Sequence, residues 1–355
     1  EAFNLEDIEK PSHPTHPAKS DTADPARTAV DLYRKFGRDF AVRINGFFSI
    51  VVWHAGRESL LIYADGFGSA VPVYYSLQPW GLVFASQLKT MVRILGKRVE
   101  IDPSNLAIFL KYSYVPAPRT ILRGVYKLGP SEVITYKQGN LKSRRYAKRL
   151  FHERPFRNEA EAVEEYLEIL SRSIRNKAGG FPGDRIGFFL SGGLDSSANV
   201  ALASQCGLKG FKTFGIGFQD PEMDERPYAR ISASHVGAPF SDYVFDGSEI
   251  EDLPAIVWNL DEPFMENGLF LTYSGFQAVK GQVDVVFAGD GADQLFGTGG
   301  FAGGRPIALR FLLEKAHLRS ALATLRSRFG LSAFDRDNSL FKFKVLLDRT
   351  LDFKD

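Results

Sequence analysis

Seven residues, Ser191-Gly192-Gly193-Leu194-Asp195-Ser196-Ser197, have the types and spacing most suggestive of chemistry in this chain. The apolar run RIGFFL (185–190) leads into them and a small-residue segment follows, so the pattern reads as strand, glycine turn and helix start. Successive backbone N–H groups in such a turn form an anion cradle, and the helix N-terminus adds positive potential. The hydroxyls of Ser191, Ser196 and Ser197 can add donors. A phosphate or pyrophosphate is the natural guest. The segment does not carry the lysine of GxxxxGK[ST] loops, the group that commonly neutralises a transferring γ-phosphoryl. Asp195 stands there instead. A carboxylate among phosphate oxygens repels them unless a cation bridges the two, a role that suits Mg²⁺. A second carboxylate is then expected at a neighbouring strand end. AGDGADQLFG (288–297) offers Asp290 and Asp293, three apart, after the apolar run VDVVFAG (283–289). The competing reading of the first stretch is an ordinary capped turn, with Asp195 or Ser196 as the cap. The second glycine–aspartate turn weighs against it.

The elements that must position these residues follow a strand–helix rhythm. A helix is expected over 159–177, acidic at its start and basic at its end, which suits its dipole. The runs 185–190, 213–218 and 283–289 read as buried parallel strands, with a helix at about 224–237 and a strand near 240–245. Together they predict an open, doubly wound α/β sheet, whose ligands bind beyond the carboxyl ends of the strands. The chain before it is different. Residues 5–27 are polar and proline-rich and read as a loop; His13 and His16 within it lack the neighbours of a metal site. A helix is expected over 28–36. Short β-branched and aromatic runs at 45–54, 59–65, 70–76 and 81–86 then predict a meander. A helix at 103–112 and strands near 122–127, 131–137 and 140–146 complete a β-rich domain. The expected division is 1–150 and 151–355.

The 355 residues carry a net charge of +2, so no polyanion-binding field is implied and nucleic acid is not an expected partner. No apolar run approaches membrane-spanning length. The single cysteine, Cys206, excludes an internal disulfide and fits a reducing, cytoplasmic setting; it reads as a core thiol. GTGGFA (297–302) fits a dinucleotide fingerprint superficially, but it follows a helix pattern rather than a strand. The chain opens on Glu1 rather than methionine and stops inside FKFKVLLDRTLDFKD, so both ends are expected to continue.

With these residues in view, a family resemblance emerges. SGGLDSS resembles the pyrophosphate-binding loop of the asparagine synthetase and β-lactam synthetase group of ATP pyrophosphatases. FAGDGADQLFG (287–297) resembles that group's GDGGDELFGG segment, and LDEPF (260–264) with Leu271-Thr272-Tyr273 resembles its LDEPF…PTY segment. In the first domain INGFFSIVVWH (44–54), YADGFGSAVPVYY (63–75) and FASQLKT (84–90) resemble the same group. Residues 101–132 follow its domain-linking segment, and EAFNLEDI (1–8) is similar to the end of NGEIYNYREL.

The resemblance implies a glutamine amidotransferase domain of the N-terminal-nucleophile type ahead of an ATP-binding domain. ATP would adenylate a carboxylate, aspartate first among the candidates, and glutamine-derived ammonia would displace AMP. By position, Ser191, Gly192, Gly193, Asp195, Ser196 and Ser197 would cradle pyrophosphate. Asp195 and Asp293 would hold Mg²⁺, and Asp290 would face the acyl-adenylate. Leu190, Ile216, Ala288 and Gly289 would line the nucleotide, and Glu1 and Asp65 would meet glutamine. The resemblance also allows a homodimer. Departures exist: Ala64 stands where the family has arginine, Ala70 or Val71 where it has lysine, and Gln294 where it has glutamate. The family's nucleophilic cysteine would lie upstream of Glu1, and Cys206 does not match it. These departures keep two alternatives open: a lactam-forming, peptide-cyclising or polymer-modifying carboxylate–amine ligase, and a non-catalytic relative.

Overall fold

The structure is a computed structural model, and it describes residues 24–68, 71–96, 99–147, 156–266, 268–292 and 295, with the backbone of 2–3. The chain divides into two compact units, Glu1–Ala288 and Gly289–Asp355. The boundary expected near residue 150 lies outside the described residues.

Strand β1 (Ala2–Phe3) pairs with β2 (Asn45–Gly46). Helix α1 (Pro25–Phe36) starts three residues before the expected 28 because Asp24 accepts the Ala26 N–H and Pro25 fills the first turn. The meander is present, in two antiparallel sheets. One runs β3 (Ser49–His54), β4 (Ser59–Ala64), β8 (Glu132–Lys137), β9 (Asn140–Arg145); the other orders β6 (Gly81–Ala85), β5 (Tyr74–Gln78), β7 (Tyr126–Lys127). β4 is buried on both faces, with Leu61, Ile62, Tyr63 and Ala64 all in the core, so its run is continuously apolar rather than alternating. Phe40 and Tyr63 meet edge-to-face at 5.1 Å beneath it. The strand expected at 70–76 is displaced to 74–78, and the one near 122–127 shrinks to two residues after Gly124 turns at φ 71°. Helix α2 (Leu88–Leu95) was not expected, whereas α3 (Pro103–Tyr112) was, capped by Asp102.

Helix α4 (Glu159–Ala178) leads into a four-stranded, all-parallel sheet ordered β12 (Phe240–Phe245), β11 (Lys212–Phe218), β10 (Ile186–Phe189), β13 (Val285–Phe287). Helices α5 (Leu194–Gln205) and α6 (Arg226–His235), with α4, cover one face. Ile186, Phe188 and Leu190 point into that layer. Helices α7 (Leu253–Leu260) and α8 (Leu269–Val279) follow β12, and Gly275 of α8 lies against Ile216 and Phe189 on the opposite face. Burial on both faces explains why β10 reads as an unbroken apolar run. The chain leaves β10 toward β11 and β12, then returns to β13 on the other side of β10. The reversal of strand order between β10 and β13 is the topological switch point, where open α/β sheets leave a crevice. Among the described residues no helix is long and apolar enough to cross a membrane.

Candidate functional site

The glycine turn sits at the carboxyl end of β10, beside that switch point. Leu190 N–H donates to Phe214 O of β11 at 2.8 Å, and the chain then turns at Gly192 with φ 92°. A side chain there is excluded twice over. The conformation is left-handed, and a Cβ would meet Ala229 N and Tyr228 Cβ of α6 at 2.7 Å. Gly193, at φ −67°, has ordinary geometry and caps α5 without a side chain. Neither Asp195 nor Ser196 caps the helix, so the competing capped-turn reading does not describe this turn. The N–H groups of the first turn of α5 have no intrahelical acceptor.

Three serines shape the turn. Ser196, buried, brings its hydroxyl within 3.0 Å of Ser191 Oγ, receives Ser191 N–H at 3.3 Å and donates to Gly193 O at 3.1 Å. Ser191 Oγ in turn accepts Gly193 N–H at 3.2 Å. Ser197 Oγ lies 3.0 Å from Ser232 Oγ of α6. Ser196 and Ser197 therefore serve first as internal braces, and Ser191 is the exposed hydroxyl. Asp195 is exposed and makes no hydrogen bond or ion pair with the described residues. Among those residues no group of three metal-binding side chains exists. An exposed carboxylate beside the N–H groups of α5 has the chemistry to share a cation with ligand phosphates and water, as Mg²⁺ is usually held.

The other expected residues fall as follows. Ala288 directly follows β13, exposed, and its carbonyl accepts Asn199 Nδ2 of α5 at 3.1 Å, which ties the two glycine turns' strands together. Ile216 of β11 is half-buried and lines a 250 Å³ cavity with Phe189, Gly215 and Gly275. Leu190, expected to line a nucleotide, has its side chain 1% exposed in the core layer of α4, α5 and α6, so only its backbone remains for a ligand. In the second unit, Gly289 and exposed Asp290 open a turn in which Ala292 N–H reaches Gly289 O at 3.4 Å. Asp293 and Glu1 lie outside the described residues, as do Gln294, His13, His16 and the GTGGFA stretch.

Asp65 follows β4 and is 1% exposed. Its Oδ1 accepts Phe67 N–H and Gly68 N–H at 2.7 Å, and its Oδ2 accepts Phe48 N–H at 3.3 Å. The carboxylate organises its own turn. Cys206 is not inside α5 but at its C-cap, half-buried, 3.5 Å from Arg175 Nη1 and 3.7 Å from Ser171 O.

Two constellations had no signal in local spacing. Beside the carboxyl end of β11, Arg226 grips Asp224 with two bonds of 2.8 Å and reaches Oδ2 of Asp242, the third residue of β12, at 3.1 Å; Arg230 adds 2.5 Å to the same oxygen. The Arg226 hydrogen bond holds the Asp224 carboxyl below its ordinary range. Gly217 makes this fit, since a Cβ on it would meet Arg226 Nε at 2.2 Å. The network fixes the start of α6, the helix against which Gly192 rests. The second constellation joins the β-rich half to the parallel-sheet half. Asp261 accepts Leu88 N–H (Oδ2) and Lys89 N–H (Oδ1, 2.9 Å), capping α2 from 172 residues away. Glu262 accepts Lys127 Nζ on both oxygens at 2.9 Å and Tyr74 OH at 2.7 Å. Burial, and then the Glu262 charge and hydrogen bond, push the Tyr74 hydroxyl far above its ordinary pKa.

Residues 166–342 match the family model for Asparagine synthase, and residues 1–147 match that for a Glutamine amidotransferase domain. The chain is 29% identical over 269 residues to asparagine synthetase [glutamine-hydrolyzing] 1 of Bacillus subtilis (strain 168), covering 75% of this chain and 41% of that protein. It is 26% identical over 303 residues to putative asparagine synthetase [glutamine-hydrolyzing] 2 of Methanocaldococcus jannaschii, with coverages of 84% and 55%. A putative asparagine synthetase [glutamine-hydrolyzing] of Mycobacterium tuberculosis (strain ATCC 25618 / H37Rv) is 30% identical over 304 residues, with coverages of 84% and 46%. The chain spans about half the length of these curated relatives.

Proposed function

The chain belongs to the asparagine synthase-like family of glutamine-dependent amidotransferases, and from that premise we propose that it forms an amide by ATP-dependent activation of a carboxylate, with aspartate as the substrate. The carboxylate oxygen attacks the α-phosphorus; the α–β P–O bond breaks and pyrophosphate leaves with its electron pair. Glutamine hydrolysis yields glutamate and ammonia. The ammonia nitrogen then attacks the acyl carbon, the C–O bond to AMP breaks, and the nitrogen loses a proton.

The observation that carries this reading is the turn at the switch point: N–H groups at the start of α5 without an intrahelical acceptor, no lysine, and an exposed Asp195 with no partner among the described residues. In this reading the N–H groups of α5 and the Ser191 hydroxyl hold the leaving pyrophosphate, and Gly192 and Gly193 let it approach. Ser196 and Ser197 keep that turn in shape. Asp195 and Asp293 would hold Mg²⁺, which would supply charge neutralisation at the leaving group. Asp290 faces the adenylate and the incoming amine. Ile216, Ala288, Gly289 and the Leu190 backbone flank the nucleotide, and Glu1 and Asp65 serve glutamine. The division at residue 150 then separates ammonia production from amide synthesis. We also place the protein in the cytoplasm, as a homodimer working on small molecules.

A second reading keeps the adenylation and changes the amine. It is favoured by Asp65, whose buried carboxylate already serves three N–H groups of its own fold. One assay separates the two. Aspartate-dependent exchange of pyrophosphate into ATP, with amide formation driven by glutamine, supports the first. Exchange with aspartate but amide only from an added amine supports the second, and no exchange with aspartate removes that substrate.

A further inference from the structure

A strap joins the two halves of the first unit, and the catalytic turn lies at its far end. Helix α7 stops at Asp261, whose backbone reverses at φ 67°, and the chain crosses to the β-rich half before entering α8. There Asp261 caps α2, Glu262 binds Lys127 of β7 and Tyr74 of β5, and Met265 N–H donates to Ser113 O at 2.9 Å. The ion pair is well shielded, with Lys127 21% and Glu262 13% exposed, and Lys89 lies 4.9 Å over the Trp258 ring. Helix α8 continues the strap. Its Phe276 meets Phe189 of β10 edge-to-face at 5.3 Å, and Gly275 abuts the same ring. Phe189 stands two residues before Ser191. The segment that starts at Asp261 therefore touches β5, β7 and α2 at one end and, through Gly275 and Phe276 of α8, the strand that presents the glycine turn at the other.

Resting on the reading above, we infer that Asp261 and Glu262 are positioning residues that couple the two reactions. They hold the amidotransferase half in register with the adenylating half, so that ammonia released from glutamine meets the acyl carbon before it escapes to solvent. Neither residue touches a reacting atom. Their loss separates glutamine hydrolysis from amide formation without abolishing either half-reaction.

The test compares the protein with its Glu262→Gln, Lys127→Met and Tyr74→Phe variants and with the Glu262→Gln/Lys127→Met double variant. Each is assayed for amide formed from saturating glutamine, amide formed from saturating ammonium chloride, and glutamate released per pyrophosphate. Amide from ammonium should stay within about twofold of the parent, whereas amide from glutamine should fall roughly tenfold in Glu262→Gln and Lys127→Met, with excess glutamate. The double variant should be no worse than either single, because both remove one interaction. Tyr74→Phe deletes only a hydroxyl and keeps the test valid should a charge variant fail to fold; it should raise the glutamate excess to a smaller degree. Equal loss of both amide rates, or an unchanged glutamate-to-pyrophosphate ratio, would overturn the inference while leaving the proposed function intact. A parent protein that neither hydrolyses glutamine nor releases pyrophosphate would overturn both.

Discussion

Gly192 rests so closely on α6 that a Cβ added to it would stand 2.7 Å from the Ala229 amide nitrogen. Its neighbour Gly193 would bring a Cβ no nearer than 3.3 Å to Ser191 Oγ, at an ordinary backbone angle. Gly192→Ala should therefore destabilise the protein by about 2–4 kcal/mol, through both a forced positive φ and overpacking. Gly193→Ala should cost under about 1 kcal/mol, since nothing but a hydroxyl must move. Urea denaturation of both variants checks this, and equal losses would mean the turn does not lean on α6 as described.

Asp195 offers the opposite case. It is exposed and has no partner among the described residues, so Asp195→Asn should change stability by less than about 0.5 kcal/mol. The variant should nonetheless lose the stabilisation that MgATP confers on the parent, about 2.7 kcal/mol at one hundred times the dissociation constant. Thermal melts with and without MgATP read both effects. An unchanged ligand-induced shift would remove Asp195 from the metal-bridging role.

The Asp224–Arg226 pair makes a pH prediction. Arg226 lowers the folded-state pKa of Asp224 below its unfolded value. The pair's contribution is therefore present above the usual aspartate value of about 3.9 and is lost as pH falls through the lower folded value. The difference in melting temperature between the parent and Asp224→Asn should be constant from neutral pH to about pH 5 and narrow below about pH 4. A difference that persists unchanged down to pH 2 would show that the aspartate acts through packing and not through its charge.

Asp65 links structure to the choice between the two functional readings. Asp65→Asn can preserve the two bonds to Phe67 and Gly68 but must turn an amide NH₂ toward the Phe48 N–H. The unsatisfied pair should cost about 1–3 kcal/mol. With glutamine as the nitrogen source, the KM for glutamine should also rise while the ammonium-driven rate holds. Loss of stability with no change in that KM favours the second reading, in which Asp65 is structural.

What the sequence made legible follows from distance along the chain. The glycine turn was readable because its strand, turn and helix start are contiguous within 185–205. The doubly wound sheet was readable because burial on both faces gives unbroken apolar runs such as 213–218. Local punctuation misled at residue 24, where Asp24 and Pro25 look like more of the proline-rich loop but begin α1. Helices α7 and α8 carry too few polar residues to show a 3.6-residue contrast, and so gave no period to read. The strap was invisible for another reason. Glu262 finds Lys127 and Tyr74 at separations of 135 and 188 residues, and no local pattern encodes such a pairing. The LDEPF stretch attracted notice only through resemblance, which said nothing of what its acids hold.

The central claim is that the turn at the end of β10 serves cleavage between the α- and β-phosphates. Phosphorus NMR of the phosphate products, during turnover with ATP, Mg²⁺, aspartate and glutamine, tests it most directly. AMP and pyrophosphate should form in equal amounts, both abolished by aspartate omission. ADP and orthophosphate as the products would contradict it.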